Sequence, residues 1–82
     1  MQVSVLYFAA LRDLMGAGEE RVFLPDAEAT VATLRTFLET RDQRLSGFLG
    51  SVRFAVNEEF RNGEARLKDG DTVALIPPVQ GG

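Results

Sequence analysis

The 82-residue chain contains no cysteine and no histidine. Those two absences remove the usual nucleophilic thiol, the usual general base near neutral pH and the softer metal ligands together. They also exclude disulfides and thiolate metal sites, so an ordinary apolar core has to hold the fold. Lysine occurs once, at Lys68, which leaves side-chain catalysis to carboxylates, arginines or that one lysine. Positive charge is scarce too: nine Lys and Arg face twelve Asp and Glu, for a net charge of −3 and a pI of about 4.8. A scattered acidic charge is the reverse of the basic stripe that nucleic acid attracts, so no nucleic-acid partner is expected. No apolar run approaches the roughly 20 residues of a membrane span, and Met1-Gln2-Val3-Ser4 lacks the basic region of a signal peptide. The expectation is a soluble cytoplasmic protein without a membrane partner.

What is present fits one globular domain. Hydrophobic residues make up 45% and charged residues 26% of the chain, an ordinary balance that argues against disorder. A domain of this length buries only about 60% of the surface its unfolded chain exposes, which leaves little room for an internal active site.

Gln2 to Phe8 alternates as a strand, with Val3, Val5 and Tyr7 on one face and Ser4, Leu6 and Phe8 on the other. Ala9 to Met15 is a short helix that Gly16 and Gly18 terminate. Glu20 to Leu24 is a second strand, paired with the first and stopped by Pro25. After a polar connection over Asp26 to Ala29, Thr30 takes the N-cap position of the main helix, which runs to about Arg41. Val31, Leu34, Phe37 and Leu38 form its apolar stripe, and Thr33, Arg35, Thr36 and Glu39 its solvated face. Asp42 to Ser51 reads as a loop with a helical turn around Leu45, Phe48 and Leu49. Short strands follow at Phe54 to Val56 and at Phe60, then turns at Asn62-Gly63 and Leu67 to Asp71, and a last strand from Thr72 to Ile76. Glu58 with Glu59, and Asp69 with Asp71, lack the further spaced ligands of a metal site and read as turns, so no metal site is expected.

One amphipathic helix on one face of a mixed sheet of four to five strands is an α+β architecture, and this element order matches the β-grasp, or ubiquitin-like, layout. The domain would cover residues 1–76, with an extended tail over residues 77–82. Pro77 and Pro78 fix the backbone and remove two amide donors directly after Ile76, so the last strand cannot continue. Val79 and Gln80 lead to Gly81 and Gly82, whose lack of side chains suits a narrow channel. A merely frayed terminus is the alternative. In the functional reading, the reactive group is the main-chain carboxylate of Gly82, and Pro77 to Gly81 thread it into place.

Four stretches carry a resemblance: Phe8 to Leu14 after the first strand, Ala55-Val56-Asn57, Asp69 to Ala74, and Pro77 to Gly82. In this order they resemble the small subunit of molybdopterin synthase, a family of ubiquitin-like sulfur carriers, over essentially the whole chain. The resemblance implies that a ubiquitin-activating-like adenylyltransferase uses ATP to adenylate the terminal glycine, with no cofactor bound by this chain. It implies that a sulfur-donating enzyme converts the adenylate to a thiocarboxylate. The tail would then enter the large synthase subunit, in an expected heterotetramer, and donate sulfur to precursor Z (cyclic pyranopterin monophosphate) to build the molybdopterin dithiolene. Catalytic residues would lie on the large subunit. The sulfur carrier of thiamine biosynthesis, and a ubiquitin-like protein modifier or binding module, are the alternatives.

The β-grasp layout also sets first and last strands side by side and parallel. Leu6, Phe8 and Ile76, joined by Phe60, would then form an apolar patch on the uncovered face beside the tail. In the resembling family the matching positions pack on the large subunit. A small loop covering Phe8 would leave the same sequence pattern.

Overall fold

The computed structural model describes residues 1–78. Five strands form one mixed sheet: β1 (Gln2–Tyr7), β2 (Glu19–Phe23), β3 (Arg53–Val56), β4 (Glu59–Arg61) and β5 (Thr72–Ile76). Their order across the sheet is β2-β1-β5-β3-β4. The first and last strands are central and parallel, with Val5 beside Val73 and Tyr7 beside Leu75. All other pairings are antiparallel.

The helices are α1 (Ala9–Met15) and α2 (Val31–Arg41). Thr30 caps α2 as its sequence position suggests: its Oγ1 accepts from the Thr33 amide at 3.2 Å. Thr33, assigned above to the solvated face, returns the contact, its Oγ1 accepting from the Thr30 amide at 3.1 Å. The pair closes a capping box and satisfies two amides that a helix start otherwise leaves open. At the other end of α1, Gly16 adopts φ 73°, a left-handed value that only glycine takes without strain, and its amide bonds to the Arg12 carbonyl.

The core lies between α2 and one sheet face. Val3, Val5, Tyr7, Val22, Val73 and Leu75 meet Val31, Leu34 and Leu38 there, all buried, while Phe37 packs at the margin. The connections contribute more than their polarity suggests. The loop after α2 makes two 3₁₀ turns, Gln43–Leu45 and Leu49–Ser51, and drives Leu45 and Leu49 into full burial. Ala29 and Leu67, read above as parts of a connection and a turn, are core residues as well, and so is Ala65. The cause is a crossing of two loops: Thr30 bridges Arg66, and the Leu67 amide donates to the Ala29 carbonyl at 2.9 Å. Two boundaries also shift. The first strand stops at Tyr7 because Phe8 becomes the N-cap of α1, and β2 ends at Phe23.

A polar clasp joins three elements at the far end of α2. The Tyr7 hydroxyl donates to Glu20 Oε1 at 2.5 Å, and the Arg41 guanidinium donates to the same oxygen. Burial, reinforced by the Glu20 carboxylate, pushes the Tyr7 phenol well above its ordinary pKa. No helix among the described residues is long and apolar enough to cross a membrane.

Candidate functional site

The root of the tail organises the site. β5 ends at Ile76, which stands opposite Arg53 of β3. Pro77 is half-buried and Pro78 exposed, in a crevice that Phe8, Ala9, Phe48 and Ser51 line with them. The prolines are therefore seated between the start of α1 and the second 3₁₀ turn. Val79, Gln80, Gly81 and Gly82 lie outside the described residues.

Beside this root the uncovered sheet face is apolar. Alternation puts Leu6 of β1, Ala74 and Ile76 of β5, Ala55 of β3 and Phe60 of β4 on that face, and the register stacks them across adjacent strands: Leu6 beside Ala74, Ala74 beside Ala55, Ala55 beside Phe60. Phe8 joins from the end of β1. These side chains line a depression of about 610 Å3, rimmed by Asn57, Glu58 and Thr72. Phe8 is 45% and Phe60 52% exposed. No loop covers Phe8 among the described residues, so the patch anticipated from the sequence is formed and open. Leu6, Phe8, Phe60 and Ile76 come together as expected. Ala55 and Arg53 were not anticipated; the signal for Ala55 was its alternation with buried Phe54 and half-buried Val56.

Backbone strain is concentrated around this face. Ala9 holds φ 50°, and the two-residue turn between β3 and β4 places Asn57 at φ 50° and Glu58 at φ 71°. Left-handed backbone costs a residue with a side chain roughly 1 kcal/mol or more. At Ala9 the left-handed residue opens α1 directly after Phe8. At Asn57 the side chain offsets the cost, since its Oδ1 accepts from the Thr72 amide at 3.0 Å and its Nδ2 donates to Asp71 at 2.9 Å. Glu58 has no such compensation among the described hydrogen bonds.

Asp69 and Asp71 are structural. Asp69 accepts from the Gln2 amide at 2.7 Å and Asp71 from the Lys68 amide at 2.8 Å, which fastens the turn before β5 onto β1. Among the described residues no group of three or more acidic, His or Cys side chains is placed to hold a metal ion. The apolar face is open, and Pro77 and Pro78 leave from its edge.

Comparison with known proteins gives this arrangement a lineage. The ThiS family matches residues 5–82 of the chain. This chain belongs to the ThiS family. Among curated proteins, the ThiS-family chain is 37% identical to the molybdopterin synthase sulfur carrier subunit of Chlamydomonas reinhardtii, covering 100% of both. It is 36% identical to the human subunit of the same name, covering 99% of this chain and 94% of the relative. Among solved structures, a putative molybdopterin converting factor subunit 1 from Pyrococcus furiosus superposes with a TM-score of 0.86 at 33% identity, covering 96% and 99% of the two chains. SAMP1 from Haloferax volcanii superposes at 0.87 with 28% identity over 100% of both. A complex of subunits 1 and 2 of the molybdopterin-converting factor from Helicobacter pylori contains a chain with a TM-score of 0.73 and 29% identity, again over 100% of both. These neighbours share the ubiquitin-like β-grasp fold with the ThiS-family chain.

Proposed function

We propose that this chain is the sulfur carrier subunit of a molybdopterin synthase, with domain 1–76 as a docking body and residues 77–82 as the reactive tail. The observation that carries the reading is the placement of the tail root, Ile76-Pro77-Pro78, on the rim of an open apolar face. A partner that covers Phe8, Phe60 and Ile76 thereby sets where a tail of fixed length delivers its end. The full-length likeness to sulfur carrier subunits supplies the chemistry. The complex from Helicobacter pylori supplies the kind of partner, a large synthase subunit.

Carboxylate oxygen is a poor leaving group, so sulfur cannot displace it directly. An adenylating partner overcomes this with ATP: the Gly82 carboxylate attacks the α-phosphorus and displaces pyrophosphate, giving an acyl adenylate. Sulfide, delivered as HS− by a donor enzyme, then attacks the acyl carbon and displaces AMP, leaving a thiocarboxylate on Gly82 once its proton is lost. In the large subunit that sulfur displaces an oxygen substituent at a carbon of precursor Z, and water then cleaves the resulting thioester, returning the Gly82 carboxylate and leaving the sulfur on the product. In a chain without cysteine, the terminus is the one place able to carry sulfur in this way. ATP belongs to the activating partner, and the cycle runs in the cytoplasm.

Intact-mass measurement after incubation with the adenylating enzyme, ATP and a sulfur donor tests the reading. One oxygen replaced by sulfur, localised to Gly82 by fragmentation, is the expected result; an unchanged mass would reject it. The likeness to SAMP1 of Haloferax volcanii, a small archaeal modifier protein, favours a second reading in which Gly82 is joined to lysines of other proteins. Isopeptide-linked Gly-Gly remnants on cellular proteins would support it.

A further inference from the structure

A second cleft, of about 470 Å3, opens at the sheet edge between the start of α2 and the β3–β4 hairpin. It is lined by Val31, Val52 and Phe54 together with Arg35 of α2, Arg53 of β3 and Arg61 of β4. No carboxylate lines it. In a chain of net charge −3 with nine cationic side chains, three stand around this one cleft.

Their own neutralisation is slight. Arg35 pairs with Glu39 at 3.5 Å and Arg61 with Glu59 at 3.8 Å, both arginines being close to half exposed; exposed pairs of this kind hold weakly. Arg53 has no carboxylate partner among the described residues and is stacked on Phe60 instead. The amides at the helix start are already taken: Val31 donates to the Ala65 carbonyl, Ala32 to the Gly63 carbonyl and Thr33 to Thr30 Oγ1. Attraction for anions therefore comes from arginines spaced among the apolar lining residues. That layout fits carboxylates spaced along a peptide better than one compact anion, which would want converging amides.

We propose that the cleft receives an acidic peptide segment of the partner that docks on the apolar face. The proposal rests on the docking reading above. Phe60 lines both the cleft and the apolar depression, so a partner covering its ring reaches over β4 to the arginines. Such a contact guides orientation and speeds encounter, and it makes association salt-dependent.

The test measures affinity for the large synthase subunit at low and high salt. An Arg35→Gln/Arg53→Gln/Arg61→Gln variant should bind about tenfold more weakly at low salt and lose most of the salt dependence. An Arg12→Gln/Arg66→Gln/Lys68→Gln control removes the same charge elsewhere and should keep both. Equal behaviour of the two variants overturns the cleft proposal and leaves the docking reading standing. Failure of the unaltered chain to bind the large subunit rejects the docking reading instead. A polyglutamate peptide titrated into the isotope-labelled chain then decides the cleft alone. Shifts of the Arg35, Arg53 and Arg61 side-chain resonances support it; absent shifts, or tighter binding of inorganic pyrophosphate at the same residues, overturn it.

Discussion

The guanidinium of Arg53 lies over the ring of Phe60, 3.9 Å from its centroid. The two side chains are on adjacent strands, two residues out of register and so on the same sheet face, since Phe60 stands opposite Ala55. A cation over an exposed ring contributes roughly 0.5–1 kcal/mol, and here it keeps an aromatic side chain in place on an edge strand that has one neighbour. Arg53 thus links the tail root, the apolar face and the cationic cleft.

Docking should depend on the exposed aromatics. Phe8→Ala or Phe60→Ala is expected to weaken association with the large subunit by about 2 kcal/mol or more, as for central aromatic anchors. Both rings are about half exposed in the free chain, so thermal unfolding should change much less. Calorimetric titration beside melting curves checks this, and full-strength binding by both variants would remove the face from the interface.

Tail chemistry should be intolerant of bulk. Gly81→Val, or one residue added after Gly82, is expected to abolish thiocarboxylate formation while the domain melts normally, because the described buried core lies within residues 3–75. Mass spectrometry of the sulfurated product reads the outcome directly. Undiminished loading of the extended chain would contradict a channel-threaded terminus.

The β3–β4 turn should be improvable. Glu58 occupies φ 71°, and Glu58→Gly is expected to stabilise the domain by about 0.5–1 kcal/mol, the relief of left-handed strain less the extra freedom of an unfolded glycine. In a domain of this size, that raises the melting temperature by roughly 2–8 °C. Asn57→Ala should act oppositely, since it removes the contacts to Thr72 and Asp71.

Alkali should unfold the protein partly through Tyr7. The phenol titrates near 10 when unfolded and higher when folded, so the folded state holds its proton more tightly. The contribution is fully present below about pH 10 and is lost as pH rises through the folded value. Tyr7→Phe is expected to cost about 1 kcal/mol at neutral pH through the lost bond to Glu20 and to flatten the decline of stability above pH 10. Tyr7 is the single tyrosine, so phenolate absorbance during the titration reports this group alone. A phenol that ionises near 10 in the folded protein would contradict the clasp.

Much of this molecule is written in local pattern. Alternation in β1 and β5 assigned their inner and outer faces, the stripe Val31, Leu34, Leu38 assigned the buried side of α2, and Pro77-Pro78 marked the end of the sheet. Each of these signals depends on the period of a single element, which side-chain geometry ties to its own backbone. The Gly-Gly ending and the absence of cysteine likewise pointed to the terminus without any knowledge of the fold.

Tertiary structure alone decided what meets what. Leu67 reads as a turn residue until the crossing of its loop with Ala29 buries it. Arg35 reads as solvated helix surface until the β3–β4 hairpin brings Arg53 and Arg61 beside it. Thr33 reads the same way until the Thr30 side chain turns back to it. Periodicity fixes which way a side chain faces along its own strand or helix. Which neighbour it faces depends on strand order and register, and those are set by the pairing of segments far apart in the chain, where no local pattern reaches.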